Sequence, residues 1–141
     1  MPCGETSLPH STLWVFCSAD ELPIKEFPGA YVVNTDESNQ PGQHWVTFFT
    51  INDTIECFDG FGRIPGEHSV HIARRLEDTY RVVRCETLQS RNSTVCGQYC
   101  LFFLILRCHG YTCEDVMSAL SKNTKINDRF ACKFISKFFK C

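Results

Sequence analysis

His44-Trp45-Val46-Thr47-Phe48-Phe49-Thr50-Ile51, then Asn52-Asp53, then Thr54-Ile55-Glu56-Cys57-Phe58-Asp59 is the stretch that decides the fold. Both runs are rich in β-branched and aromatic residues, and the pair between them is a turn signal, so they predict two antiparallel strands. His44 opens the first strand and Asp59 closes the second, which brings the two to one end of the hairpin. Working outward, Ala30 to Asn34 reads as a further buried strand, and Asp36 to Gly42 as the turn that follows it. Leu13-Trp14-Val15-Phe16 is a short aromatic run followed by the breakers Glu21-Leu22-Pro23 and Phe27-Pro28-Gly29, so Ser11 to Cys17 is read as a lead-in segment.

Downstream, Gly60-Phe61-Gly62 and Pro65-Gly66 make a loop, and Ile72, Leu76 and Tyr80 at helical spacing predict a surface helix from Val70 to Tyr80. Arg81 to Cys85 is a candidate strand, and Glu86 to Thr94 a polar loop. From Cys96 to Leu106 the chain is apolar nearly all round, which predicts a helix buried in the centre, with Asn92, Ser93 and Thr94 offering capping oxygens and His109-Gly110 ending it. Glu114 to Lys122 reads as another helix, and Asp128 to Lys140 as an amphipathic one with Phe130, Phe134, Ile135 and Phe138 on one face. These elements make an α+β chain.

At 141 residues the chain fits one domain, 1–141, and a hydrophobic share of 43% with 12 Phe supplies a packed core. A net charge of -2 gives no basic field for nucleic acid, so any DNA association is expected to be weak. Arg74-Arg75 and the lysines of Lys133 to Lys140 read as solvated helical faces. Ten cysteines admit a disulfide framework, a metal site, or reduced thiols of which one reacts. Met1 to His10 contain no apolar secretory core, and a glycan on Asn92-Ser93-Thr94 would crowd Cys96, so a reducing compartment is expected rather than secretion. The longest apolar stretch, Leu101 to Leu106, is too short to cross a bilayer.

A thiol reacts as thiolate, and the start of a helix lowers its pKa through unpaired backbone N–H groups. Cys96 is predicted there. The thiolate needs an imidazole to hold its proton and give it to a leaving amine, and the imidazole needs an acceptor that fixes its tautomer. His44 and Asp59 can fill both places, while Gln89, in the loop before Cys96, can add a side-chain amide to the oxyanion site. Taken alone these residues stay open to plainer readings: a Cys at a helix start as a small buried hydrophobe, a His beside Trp as a strand end. Trp45 is either a shield for the imidazole or a core aromatic; Gly97 either admits substrate backbone or serves helix packing.

Gly42-Gln43-His44-Trp45, Phe58-Asp59-Gly60-Phe61-Gly62 and the run from Gln89 to Cys96-Gly97-Gln98-Tyr99-Cys100 together resemble the ordered motifs of adenain, the adenovirus endopeptidase. In style the chain is most similar to the adenain-like proteases of Maverick/Polinton elements and small DNA viruses, a likeness to which Asp20-Glu21-Leu22-Pro23 and Ile126-Asn127-Asp128 also contribute. The resemblance covers about Trp14 to the C-terminus. It implies a papain-like cysteine protease fold with the order permuted to His, acid, Cys: a central, mostly antiparallel sheet, a buried nucleophile helix and flanking helices. It also implies His44, Asp59 and Cys96 as catalytic residues, Gln89 at the oxyanion, and Trp45 and Gly97 in support.

By the same resemblance the substrates are polypeptides, namely viral or virus-like capsid and core precursors cut beside small residues, notably glycine. The setting is the virion and the nucleus or cytoplasm of the host cell. Asp59 stands where adenain has glutamate; the shorter side chain requires the hairpin strands to lie closer, and Asp is found in the related SUMO-protease branch. Adenain is activated by a disulfide-joined peptide and by DNA, and Cys85 resembles the receiving cysteine. No activator, cofactor or metal is expected here, and a monomer is. Cys100, Cys108 and Cys113 lack zinc spacing and read as core thiols; Cys3, Cys17, Cys57, Cys132 and Cys141 read as plain or exposed thiols. His10, His68, His71 and His109 read as surface or cap residues. The alternatives are a deubiquitinase or SUMO-type isopeptidase, an inactive peptide-binding domain of the same fold, and a disulfide-rich binding module.

Overall fold

A computed structural model of the chain describes residues 13–22, 29–36, 39, 44–51, 54–64, 69–76, 80–82 and 86–138. Among them a 5-stranded sheet runs in chain order: β1 (Leu13–Ser18), β2 (Gly29–Asn34), β3 (Trp45–Ile51), β4 (Thr54–Phe58) and β5 (Tyr80–Val82). The predicted hairpin forms, with Thr47 opposite Phe58 and Ile51 opposite Thr54. β2, β3 and β4 are antiparallel as expected. The outer pairings, β1 on β2 and β5 on β4, are parallel, so the sheet is mixed. Parallel edges follow from crossovers: a 3-10 turn (Ala19–Glu21) lies between β1 and β2, and α1 (Val70–Leu76) between β4 and β5.

Alternate residues of the sheet feed two cores. Tyr31, Val33, Val46, Phe48, Ile55 and Cys57 face Ile72 and Leu76 of α1. Ala30, Val32, Phe49 and Phe58 face α2 (Cys96–Cys108), where Phe58 and Phe103 stack with ring centroids 4.7 Å apart. α3 (Cys113–Ser118) and α4 (Thr124–Phe138) cover the far side of α2, with Phe102 edge-on to Phe130 and Phe134. α2 is thus enclosed between sheet and helices, which is why its sequence is apolar nearly all round. Its C-terminal end is tied to β4 by Arg107, whose Nε donates to Glu56 Oε1 at 2.8 Å and whose Nη2 donates to Glu56 Oε2 at 3.1 Å.

Four sequence expectations change. The lead-in segment is strand β1, in register with β2 from Leu13 opposite Gly29 to Ser18 opposite Asn34. Its apolar run hid the alternation: Val15 and Cys17 meet the α1 core while Trp14 and Phe16 stay exposed. Tyr80 is not helical; it begins β5 opposite Ile55, because a Tyr at helical spacing fits a strand start equally well. Cys57, read as a plain or exposed thiol, is a buried one within β4. α3 stops at Ser118 and α4 starts already at Thr124, where Asn123 Oδ1 accepts the N–H groups of Lys125 and Ile126. The turn at 52–53, Gln43, Cys85 and His68 lie outside the described residues.

Candidate active site

His44 immediately precedes β3 and Asp59 immediately follows β4, so the hairpin delivers both to one end, as the sequence predicts. His44 Nε2 and Asp59 Oδ1 are 2.6 Å apart, in a pair that is nearly buried. The shorter acid reaches because it is held in place: the Phe61 N–H donates to Oδ1 at 3.0 Å and the Arg63 N–H to Oδ2 at 3.1 Å. Gly62, with φ of 75°, closes this turn on the Asp59 carbonyl at 2.9 Å. With Nε2 taken by Asp59, the ring presents Nδ1 to its other partner, and that partner is the Cys96 side chain.

Cys96 is the first residue of α2. Burial by itself would push its thiol up, but the hydrogen bond from His44, the backbone N–H of Trp45, the charge on His44 and the N–H of Gly97 together hold it below the ordinary thiol value. Burial pulls His44 down, yet the hydrogen bonds and charges of Asp59 and Cys96 outweigh it and raise the imidazole to about 9. The two shifts agree in direction: each favours a thiolate facing an imidazolium. The other thiols with a resolved shift go the opposite way from Cys96. Burial raises Cys17, helped by Glu21 and Asp20, to about 11; burial also raises Cys108 to about 11 and pushes Cys100, Cys57 and Cys132 up.

The expected capping oxygens do not cap α2, which starts with Val95 at the cap and no side-chain bond there. Ser93 is engaged instead by Gln89, whose Nε2 lies 2.9 Å from Ser93 Oγ and 3.4 Å from Ser93 O. The first N–H groups of α2 are therefore not capped by a side chain at Val95, and that of Gly97 bonds the Cys96 sulfur. Gln89 is fully buried in the loop before α2, and its Oε1 has no hydrogen-bond partner among the described residues. It packs on Gly60 so tightly that a Cβ there would come within 2.5 Å of Oε1. Gly60 stands in the quoted motif and Ser93 among the expected capping oxygens, but only the fold shows that both contact Gln89.

Phe61 is the ring against the imidazole, with centroids 4.8 Å apart. Trp45 is half-buried and packs against the α2 core, and its backbone N–H is what reaches the thiolate. A Cβ on Gly97 would meet nothing within 4 Å, so helix packing gives no reason for glycine there. His109 caps α2, its Nδ1 2.7 Å from Ile105 O, and His71 lies on α1. All seven described cysteines are free thiols, and among the described residues no cluster of His, Cys, Asp and Glu could hold a metal ion.

No family model matches the chain. A cysteine protease of African swine fever virus is 27% identical over 121 residues, which are 77% of this chain and 42% of that protein. A crystal structure of the pS273R protease of that virus aligns with a TM-score of 0.50 at 23% identity, over 73% of this chain and 41% of that one. The chain has the fold of a viral cysteine protease. A second crystal structure of the same enzyme, with selenomethionine, gives a TM-score of 0.48 at 27% identity over 73% of this chain and 42% of that one. The chain therefore spans less than half the length of the relative it matches. The shared fold is the papain-like α+β arrangement expected above, with the central antiparallel strands, the buried helix and the flanking helices in place.

Proposed function

We propose that this chain is a cysteine endopeptidase with Cys96 as nucleophile, His44 as acid and base, Asp59 as the group that fixes the imidazole, and Gln89 at the oxyanion. The observation that carries the reading is the placement of one imidazole between a buried carboxylate and a thiol whose pKa is depressed at the start of a buried helix.

The Cys96 thiolate attacks the scissile carbonyl carbon, and the carbonyl π electrons move to oxygen. That oxyanion is met by the Cys96 N–H and by the second proton of Gln89 Nε2, which is held only weakly by Ser93 O at 3.4 Å. His44 Nδ1 gives its proton to the departing amine as the C–N bond breaks, leaving a thioester on Cys96. Neutral His44 then takes a proton from water; the hydroxide attacks the thioester, the C–S bond breaks, and the thiolate–imidazolium pair returns. Asp59 keeps its charge throughout, because its oxygens accept from His44 and two backbone amides. Open space at Gly97 lets substrate backbone pass close to the sulfur.

The substrates are precursor polypeptides of a virus or virus-like element of the Maverick/Polinton kind, cut beside glycine or another small residue, in the virion or the infected cell. Similarity to a viral cysteine protease supports that setting. The enzyme acts as a monomer and needs no peptide, DNA or metal. The test is cleavage of glycine-containing fluorogenic peptides by purified protein and by Cys96→Ala under reducing conditions, beside a ubiquitin-like fusion. Turnover of the peptides that disappears in the variant supports the reading; turnover of the fusion alone moves it to an isopeptidase; rapid alkylation of Cys96 without turnover of either refutes catalysis.

A further inference from the structure

The loop that carries Gln89 is gripped on both sides by side chains from two helices. One residue before it, Leu88 O accepts from Asn127 Nδ2 at 3.0 Å, and the Tyr99 hydroxyl lies 3.1 Å away. One residue after it, the Ser90 N–H donates to Asp128 Oδ1 at 3.3 Å, while Ser90 Oγ and Thr124 Oγ1 are 3.2 Å apart. The Tyr99 hydroxyl also reaches Asp128 Oδ1 at 2.7 Å, so its single proton is shared between the loop and α4. From the sheet side, Gly60 O accepts the N–H groups of both Leu88 and Gln89, at 2.8 and 2.9 Å.

Tyr99 and Asn127 are almost completely buried, and buried polar groups cost free energy unless each finds a partner. Both donate to Leu88 O; Tyr99 also reaches Asp128, and Asn127 is itself anchored by Ser121, whose N–H and Oγ meet its Oδ1 and whose carbonyl accepts from its Nδ2. Tyr99 lies just under one turn beyond Cys96 on α2, so nucleophile and grip share a rigid element. Resting on the endopeptidase reading, we propose that Asp128, Asn127 and Tyr99 are positioning residues that fix the Gln89 amide before substrate arrives. α4 thereby belongs to the oxyanion apparatus.

The experiment compares Asp128→Ala with Asp128→Asn, which keeps an Oδ1 acceptor, in three readouts: peptide hydrolysis, iodoacetamide alkylation of Cys96, and solvent exchange of the Gln89 side-chain amide protons by NMR. Alkylation needs the thiolate and no oxyanion. In Asp128→Ala, kcat falls about 10- to 100-fold, as for a displaced donor, while KM and alkylation rate stay within about twofold and Gln89 exchange accelerates. Asp128→Asn restores most of kcat and the slow exchange. Hydrolysis and alkylation falling together, or unchanged hydrolysis with unchanged exchange, overturns the proposal. If Asp128→Ala does not fold, Tyr99→Phe removes one hydroxyl while keeping the ring, and the same outcomes decide. Wild-type protein that hydrolyses nothing sinks the endopeptidase reading; the exchange readout then still decides whether the grip on Gln89 exists.

Discussion

At its C-terminal end α2 is tied to the sheet by Arg107 and Glu56; at its N-terminal end it is tied by Cys96 and His44, with Asp59 behind. Arg107 is held on several sides: two bonds to Glu56, a third from Nη1 to Tyr111 O at 2.6 Å, and the face of Phe49 with its ring centre 4.7 Å away. Such a nearly buried, bidentate pair holds the helix to the sheet. The other end spends one ring nitrogen on Asp59 and leaves the sulfur half-exposed, beside a glycine with open space. On the proposed reading, what separates the structural ion pair from the reactive one is unspent capacity: one transferable proton and one accessible thiol.

The largest effect that would break this contrast lies at the sulfur. Cys96→Ala is expected to lower turnover by about 10⁴-fold or more with the thermal midpoint unchanged or raised, as followed by peptide hydrolysis and calorimetry. Next in size, Glu56→Ala leaves a buried guanidinium uncompensated and should cost about 3–5 kcal/mol of stability in urea titration. The folded fraction keeps wild-type alkylation of Cys96; a loss of thiol reactivity in proportion would mean that the two ends are not separate in role.

The pH dependence sharpens the comparison further. His44 is raised from 6.5 to about 9, so the stabilisation from its pairing is complete below 6.5 and is lost as pH rises through about 9. Hydrolysis should therefore fall on an alkaline limb near pH 9, because the neutral ring has no proton for the leaving amine, and the limb should vanish from urea stability in His44→Ala. The smallest effect is Gly97→Ala. It meets no neighbour, so stability should rise by about 0.5–1 kcal/mol from helix propensity, while KM increases because the methyl enters the path of substrate. A loss of stability would return Gly97 to a packing role.

The hairpin and the buried helix were legible because each carries a strong local pattern, and the hairpin alone predicts that His44 and Asp59 meet. Strand β1 was not, because Trp14-Val15-Phe16 is apolar on both faces; β5, expected from Arg81, begins one residue earlier at Tyr80, which satisfies two periods at once, so that partners distant in sequence decide both. Within the site, Phe61, Gly60 and Ser93 were named in the sequence for other reasons, and their contacts with His44 and Gln89 are visible only in the fold. Asn127 and Asp128 stood in a quoted stretch, yet only the fold shows that they grip residues 88 and 90.

The most direct test is intact-mass and peptide-mapping spectrometry after rapid mixing of the reduced wild-type protein with a peptide ester whose acyl group ends in glycine. The account predicts a transient acyl adduct on Cys96 that forms at neutral pH, decays with turnover, and fails to form in His44→Ala. An adduct distributed over Cys17, Cys108 and Cys132, or no adduct on Cys96 in folded protein, would contradict it.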